Sequence, residues 1–257
     1  MRKLGRFDIK TEIFRPPSNL PPGKNIQSRI RYFLRSHIDL VVLSVLRNLR
    51  PWLVHCSGKV LEVGAGLQPY RHLIPVSCEY QAIDHAISKE FDYQTPDTLY
   101  YQGDIFPVSS DSVDFLFHTE VLEHVFDVTR FLSECHRVLK KGGSMFFSVP
   151  FQYRYHYIPY DYWRMTPSAL QIVLEQIGFK NISIIPRGTD ITVVAHKMLI
   201  IIFRWLKGGL VAKTFGLLCL PMAMVILLVG HISLLMGIGS RDDCIGFNVI
   251  TQKSQEV

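Results

Sequence analysis

Glu62-Val63-Gly64-Ala65-Gly66 closes an apolar run with an acid and two glycines spaced one residue apart. Glycine tolerates positive φ and lets main chain approach a ligand closely, so this spacing after a strand predicts a tight turn against a bound molecule. Alone, such a turn is weak evidence. Asp84 follows about twenty residues later, where an acid ending the next strand binds ribose hydroxyls. Asp104 ends a third candidate strand and is followed by Ile105, a pair suited to hydrogen-bond an adenine amino group and pack its ring. Downstream, the stretch 150–164 (PFQYRYHYIPYDYWR) concentrates aromatic side chains around His156 and Asp161. Either of those two has the chemistry to take a proton from a substrate hydroxyl. Tyr153, Tyr157, Tyr162, Trp163 and Arg164 are candidate substrate contacts, since aromatics exclude water and face cations or sugar rings. The competing reading of the stretch is a packed cover loop in which Asp161 and Arg164 pair across a turn.

Positioning these residues requires strands that end together. Candidate strands are 59–64, 79–84, 98–103, 113–118, 144–149 and 180–186, with 244–252 as a last one. Helical stretches fall between them near 68–74, 127–140 and 167–178, and the middle one reads as ending in Lys140-Lys141-Gly142-Gly143. The alternation predicts a mostly parallel sheet with helices on both faces, the acids lying at the carboxyl ends of its strands. Upstream, 25–49 has helical periodicity through Ile30, Phe33, Leu34, Ile38, Val41, Val42, Val45, Leu46 and Leu49. Its charges are nearly all basic, so it reads as an amphipathic helix covering the core or as a membrane-surface or lid helix. Residues 1–24 read as an extended arm, and the first twelve lack the apolar core of a signal peptide.

The 257 residues suffice for one large domain, or one with an elaboration. At 48% apolar and 19% charged residues, a sizeable core is expected and global disorder is not. The net charge of +6 suits a solvated surface or an anionic membrane, with no basic stripe of the kind that binds nucleic acid. The five cysteines are scattered without CxxC spacing, which argues against a zinc site or a disulfide framework and suits a reducing compartment.

With these residues in view, the chain resembles class I S-adenosylmethionine (SAM)-dependent methyltransferases of the type 11 group. Residues 60–66 resemble that group's first motif, Asp84 and Asp104 its later acids, and 114–125 (DFLFHTEVLEHV) with 131–143 its fourth strand and following helix. The aromatic stretch is similar to a YHxxPxDYWR loop of relatives found among polysaccharide-biosynthesis genes. The resemblance implies an α/β, Rossmann-like, seven-stranded mostly parallel sheet with an antiparallel last strand. It implies SAM as cofactor, with Gly64, Ala65 and Gly66 lining its methionine portion and Glu62 orienting that turn or binding the amino group. Asp84 would hold the ribose, Asp104 and Ile105 the adenine, and His118, Thr119 and Glu120 would floor the pocket near the sulfonium. Glu120, Glu123 and His124 read equally well as solvated or capping helix positions. Tyr70 stands where a Gly-x-Gly-x-x-Gly dinucleotide fingerprint needs its third glycine, which counts against a nicotinamide enzyme.

Residues 191–239 break the pattern with a long apolar stretch, an insert between the sixth and seventh strands. A single bilayer crossing would leave those strands on opposite sides of the membrane, which one sheet forbids. Two crossings restore the sheet, but the first, 191–203, is short for a hydrocarbon core of about 30 Å. It would also place Arg204, Lys207 and Lys213 on the far side. The reading adopted is a monotopic insert on the cytoplasmic leaflet; a buried cap, a dimer interface and a two-pass hairpin are the alternatives. The expected layout is 1–50 as arm and basic helix, 51–190 as SAM-binding core, 191–240 as membrane-associated insert and 241–257 as final strand and tail. The expected activity is methyl transfer to a lipid-linked or amphipathic acceptor such as a glycan intermediate. A quinone or other small molecule as acceptor, and a non-catalytic SAM-binding scaffold, are the rivals.

Overall fold

The computed structural model describes residues 20–23 and 25–255; the arm expected over 1–24 lies largely outside them. Seven apolar runs form the strands β1 (Lys59–Val63), β2 (Glu79–His85), β3 (Thr98–Tyr101), β4 (Val113–Thr119), β5 (Leu139–Pro150), β6 (Phe179–Arg187) and β7 (Gly246–Lys253). They make one sheet in the order β3-β2-β1-β4-β5-β7-β6. β1 to β5 pair in parallel and β7 runs antiparallel to both β5 and β6. This is the expected Rossmann-like α/β sheet, with the antiparallel strand second from the edge.

Neighbouring apolar residues on one strand point to opposite faces, so each strand feeds two cores. Leu61, Leu116 and Phe147 pack with α3 (Val128–Val138) and α4 (Pro167–Ile177). Val60, Phe117 and Phe146 pack on the other face with Leu46, Leu49 and Leu53. Those three leucines belong to α2 (Leu40–Val54), preceded by α1 (Ile26–Ile38). The single helix expected over 25–49 is therefore two. Asp39 breaks it by taking extended backbone, and its carboxylate accepts from the Val41 and Val42 amides as the cap of α2.

Two further helix expectations are corrected. Between β1 and β2 only a 3₁₀ turn, Arg71–Leu73, forms in place of a helix over 68–74. α3 starts behind the Asp127 cap but stops at Val138, because Leu139 is already extended and opens β5. His136 and Arg137, rather than Lys140 and Lys141, occupy its last turn. Gly142 and Gly143 lie within β5.

The insert folds as α5 (Asp190–Leu206), α6 (Leu210–Leu218) and α7 (Leu220–Met236). Its two ends are tied together at the sheet edge. The buried Ser233 hydroxyl bonds those of Thr189 and Thr192, and the Asp190 amide donates to the Ser240 carbonyl at 3.0 Å. α7 is held against the N-terminal helices: Arg47 donates to the Leu234 and Leu235 carbonyls, and His231 bonds the His37 carbonyl. Gly230 lets α7 approach Leu40 and Ala195. Among the described residues no single helix is long and apolar enough to cross a membrane; α6 and α7 together are, but they are bent by 57°.

Candidate active site

The turn after β1 is built from the paired ends of β1 and β2. The Gly64 and Ala65 amides donate to the Ile83 carbonyl at 2.9 and 3.2 Å, and the Gly66 amide donates to Asp84 Oδ2 at 2.9 Å. Gly64 and Gly66 have φ of +66° and +51°, and a Cβ on Gly64 would lie 2.5 Å from Val121. Asp84 Oδ1 accepts the His85 amide, so one carboxylate locks both backbones. Burial lifts the Asp84 carboxyl to about 6 against the pull of those amides. Glu62 lies beneath the turn, buried, accepting from the Tyr80 hydroxyl; burial raises it to about 8 despite that bond.

These residues line a cavity of about 720 Å³ at the carboxyl ends of the parallel strands. That size and position suit a small-molecule site. Glu62, Gly64, Ala65, Gly66, Asp84, Thr119 and Glu120 all line it. Asp104 reaches it while paired at 2.9 Å with Arg130. Ile105 does not: it is exposed, and Phe106, the next residue, is buried and takes the wall. His118 is also displaced from its expected role. It is fully buried behind the floor, stacked on Phe147 with a ring separation of 4.8 Å, and burial drives its pKa down to about 3. Consecutive strand residues face opposite ways, which puts Thr119 on the cavity and His118 in the core.

The aromatic loop closes the cavity. Tyr153, His156, Tyr157 and Tyr162 face it. Asp161 does not act there as a free base. Its side chain is wholly buried and receives Arg164 in a fork at 2.6 and 2.8 Å, the His156 amide at 2.9 Å and His156 Nδ1 at 3.0 Å. Burial alone would raise this carboxyl, but the Arg164 and His156 bonds outweigh it and hold it well below the carboxylate range. The pairing across a turn is what the cover-loop reading foresaw. Arg164 is consumed by it, and Trp163 lies outside the cavity with its indole donating to the Val125 carbonyl at 2.9 Å.

Sequence reasoning missed several wall residues. Asp39, at the break between α1 and α2, and Val41 and Val45 of α2 line the cavity. Arg187 at the end of β6 pairs with Glu120 from across the sheet. Glu123 and His124 are not on an α-helix; they form a 3₁₀ turn, Leu122–His124, in which Glu123 is buried and His124 half-buried at the cavity. Burial, then the nearby Glu120, push the Glu123 carboxyl well above its usual value; burial and His156 lower His124 to about 4. The Glu120-x-x-Glu123-His124 spacing was the available signal.

Residues 56–147 match the family described as Methyltransferase domain, of type 11. The human Ubiquinone biosynthesis O-methyltransferase, mitochondrial, is 30% identical over 53% of this chain and 34% of its own length. A protein of Mycolicibacterium smegmatis named "Probable S-adenosylmethionine-dependent methyltransferase" is 30% identical over 37% of this chain and 39% of its own. The chain thus spans between a third and two-fifths of these relatives. Among solved structures, a SAM-dependent methyltransferase from Archaeoglobus fulgidus shares the fold with a TM-score of 0.53 at 14% identity, over 87% of this chain and 99% of that one.

Proposed function

Because residues 56–147 match the methyltransferase domain family and the sheet has the fold of a SAM-dependent methyltransferase, we propose that the chain binds SAM in the cavity and transfers its methyl group to an amphipathic or lipid-linked acceptor at a membrane surface. The observation that carries methyl transfer is the turn of Gly64 to Gly66 locked to Asp84, with Glu62 beneath it. Burial raises the carboxyls of both Glu62 and Asp84; a cationic amino group or ribose hydroxyls placed against them would favour their anions. Bound there, SAM supplies a methyl group on a sulfonium, a leaving group that needs no protonation. The chain's own residues hold the two reactants in line and exclude water, which suffices for much of the acceleration. Thr119, Glu120 and the tyrosines of the aromatic loop form the remaining walls.

The membrane part of the reading rests on α1, α6 and α7. Ile26, Phe33, Leu210, Leu218, Met224 and Met236 are 59–84% exposed, a density of apolar surface unusual on a helical excrescence that faces water. The cavity wall at Asp39 adjoins these helices, so an acceptor resting in the membrane would meet the site through the α1–α2 break. A second reading, a quinone-like acceptor, is favoured by the name of the human relative. Both share the membrane-dissolved acceptor and separate on the product formed.

Calorimetry with SAM tests the core of the proposal. Gly64→Ala, which adds a Cβ against Val121, and Asp84→Ala, which unlocks the turn, should each weaken binding at least ~10-fold, about 1.4 kcal/mol. A folded wild-type chain that binds no SAM would end it. Labelled SAM incubated with membrane extracts, followed by mass analysis, identifies the acceptor; no label in any extract favours the scaffold.

A further inference from the structure

Glu123 carries a buried carboxyl that stands out among the described residues. It is 1% exposed, and neither Oε1 nor Oε2 has a hydrogen-bond partner. A carboxylate buried without partners is costly, so such a group points to something that completes it.

What faces it is a pair of imidazoles. His124 Nε2 lies 3.6 Å and His156 Nε2 3.9 Å from Glu123 Oε1. On each ring the other nitrogen is committed as a donor. His124 Nδ1 donates to the Tyr160 carbonyl at 2.6 Å. His156 Nδ1 lies 3.0 Å from Asp161 Oδ2 and 3.1 Å from the Arg154 carbonyl, both acceptors. Each Nε2 of a neutral ring therefore carries a lone pair, and both lone pairs turn toward one carboxylate. A proton on Glu123 would satisfy one of the two nitrogens. A cation satisfies all three groups at once. Glu120 and Asp161 add negative potential here, offset in part by Arg187 and Arg164, which are bonded to those two acids.

We propose that Glu123, His124 and His156 bind one divalent transition-metal ion in the wall of the cavity. The three candidate ligand atoms lie within 4.8 Å of one another. Metal–ligand bonds of ~2.1 Å set tetrahedral ligands ~3.4 Å apart, so both Glu–His separations are within about half an ångström of what an ion requires. Two imidazoles and one carboxylate select zinc, cobalt, iron or nickel over magnesium or calcium, which prefer all-oxygen shells. The hydrogen bonds from Nδ1 to Asp161 and to the Tyr160 carbonyl are the supporting contacts that fix ligating histidines in orientation. Both histidines line the cavity and Glu123 lies behind them. The remaining coordination positions thus face the space where an acceptor would lie, and an ion there lowers the pKa of a hydroxyl that takes one of them. That role rests on the methyl-transfer reading and narrows its acceptor to an oxygen nucleophile; the ion site itself does not depend on it.

The experiment is metal binding to the full chain, stripped with chelator and titrated with Co²⁺ and with Zn²⁺. The expected result is one ion per chain, with visible absorption from nitrogen- and oxygen-coordinated Co²⁺. Glu123→Gln and His124→Asn should each weaken binding at least ~100-fold, and Asp161→Asn ~10–100-fold. Circular dichroism and SAM calorimetry on Glu123→Gln establish that its fold and cofactor site persist, since losing the charge relieves a burial penalty in the ion-free protein. No stoichiometric binding by the folded wild-type chain, or equal binding by the wild type, Glu123→Gln and His124→Asn, overturns the site. Ion binding without methyl transfer to any extract would overturn the function proposed above and leave the site standing. Methyl transfer undiminished in the stripped chain would remove the ion's part in the chemistry.

Discussion

Arg187 Nη2 lies 2.8 Å from Glu120 Oε1 and 2.9 Å from the Val149 carbonyl. Arg187 ends β6 at the edge of the sheet and Glu120 follows β4, so this one side chain reaches across β7 and β5 to the cavity wall. The wall is thereby tied to the strand from which the apolar insert departs. Glu120 itself sits at φ +54°, and the ion pair together with the Ser148 hydroxyl at 2.9 Å holds it there. Gly246 is part of the same device, because a Cβ on it would run into the Arg187 guanidinium and the Val149 carbonyl.

Breaking this pair should be costly. Arg187 is completely buried, and removing it leaves Glu120 without its countercharge. Arg187→Leu is expected to destabilise the chain by on the order of 3 kcal/mol in urea unfolding. Adding Glu120→Gln should recover part of that loss, because the unpaired charge then disappears. A double-mutant cycle that shows no coupling would mean the two residues act independently.

Asp161 should govern the loop without governing the cofactor. Asp161→Asn removes one half of the Arg164 fork and the acceptor that orients His156. The expected kinetic pattern is a raised KM for acceptor and a lowered kcat, with the Kd for SAM changed less than about threefold, under 0.7 kcal/mol. Loss of SAM affinity of the same size as the loss in kcat would place Asp161 in the cofactor site.

Glu62 predicts a pH dependence of stability with a definite sign. Its folded value, about 8, stands above the ordinary 4.5 of an unfolded chain. A raised pKa contributes stability that is fully present below 4.5 and is lost as pH rises through 8. Asp84, raised to about 6, acts in the same direction but is spent at lower pH. Between about pH 6.5 and about pH 8.5 the wild-type chain should therefore weaken, at most by ~1.4 kcal/mol per pH unit from this group. Glu62→Gln should flatten that decline in urea midpoints measured across the window. An unchanged slope would show that Glu62 keeps its charge in the folded protein.

The insert should partition onto anionic bilayers. Leu218, Met224 and Leu228 are 60–74% exposed, so changing all three to Ser should leave the fold intact. Flotation with vesicles of phosphatidylcholine and phosphatidylglycerol should recover the wild-type chain and lose most of the triple variant. Raised salt should weaken the wild-type attachment only in part, because the apolar share is insensitive to screening. A wild-type chain that stays with the soluble fraction throughout would refute the membrane reading.

The succession of strands and helices along the chain, the turn at Gly64 and the acids at 84 and 104 were legible in the sequence, because each depends on local pattern: apolar runs, glycine backbone freedom and the ends of strands. The insert, too, was bounded by topology, since β6 and β7 pair and both ends of 191–239 must return to one edge. Local pattern could not place side chains whose orientation depends on the packing of distant elements. His118 and Thr119 are neighbours in sequence, yet the strand's alternation buries one behind the floor and turns the other to the cavity. Asp161 looked like a base until Arg164 and His156 closed on it. Glu120 needed a partner 67 positions away in the chain, Arg187, which only the crossing of the sheet supplies. Glu123 and His124 read as surface because nothing in their own stretch says that residues 150–164 fold over them and bring His156 within 3.9 Å. The chain order of apolar and glycine residues therefore determined the sheet and the place of the ligand cavity. Tertiary contact alone decided which polar groups inside that cavity are paired, which are stranded, and hence where its chemistry can lie.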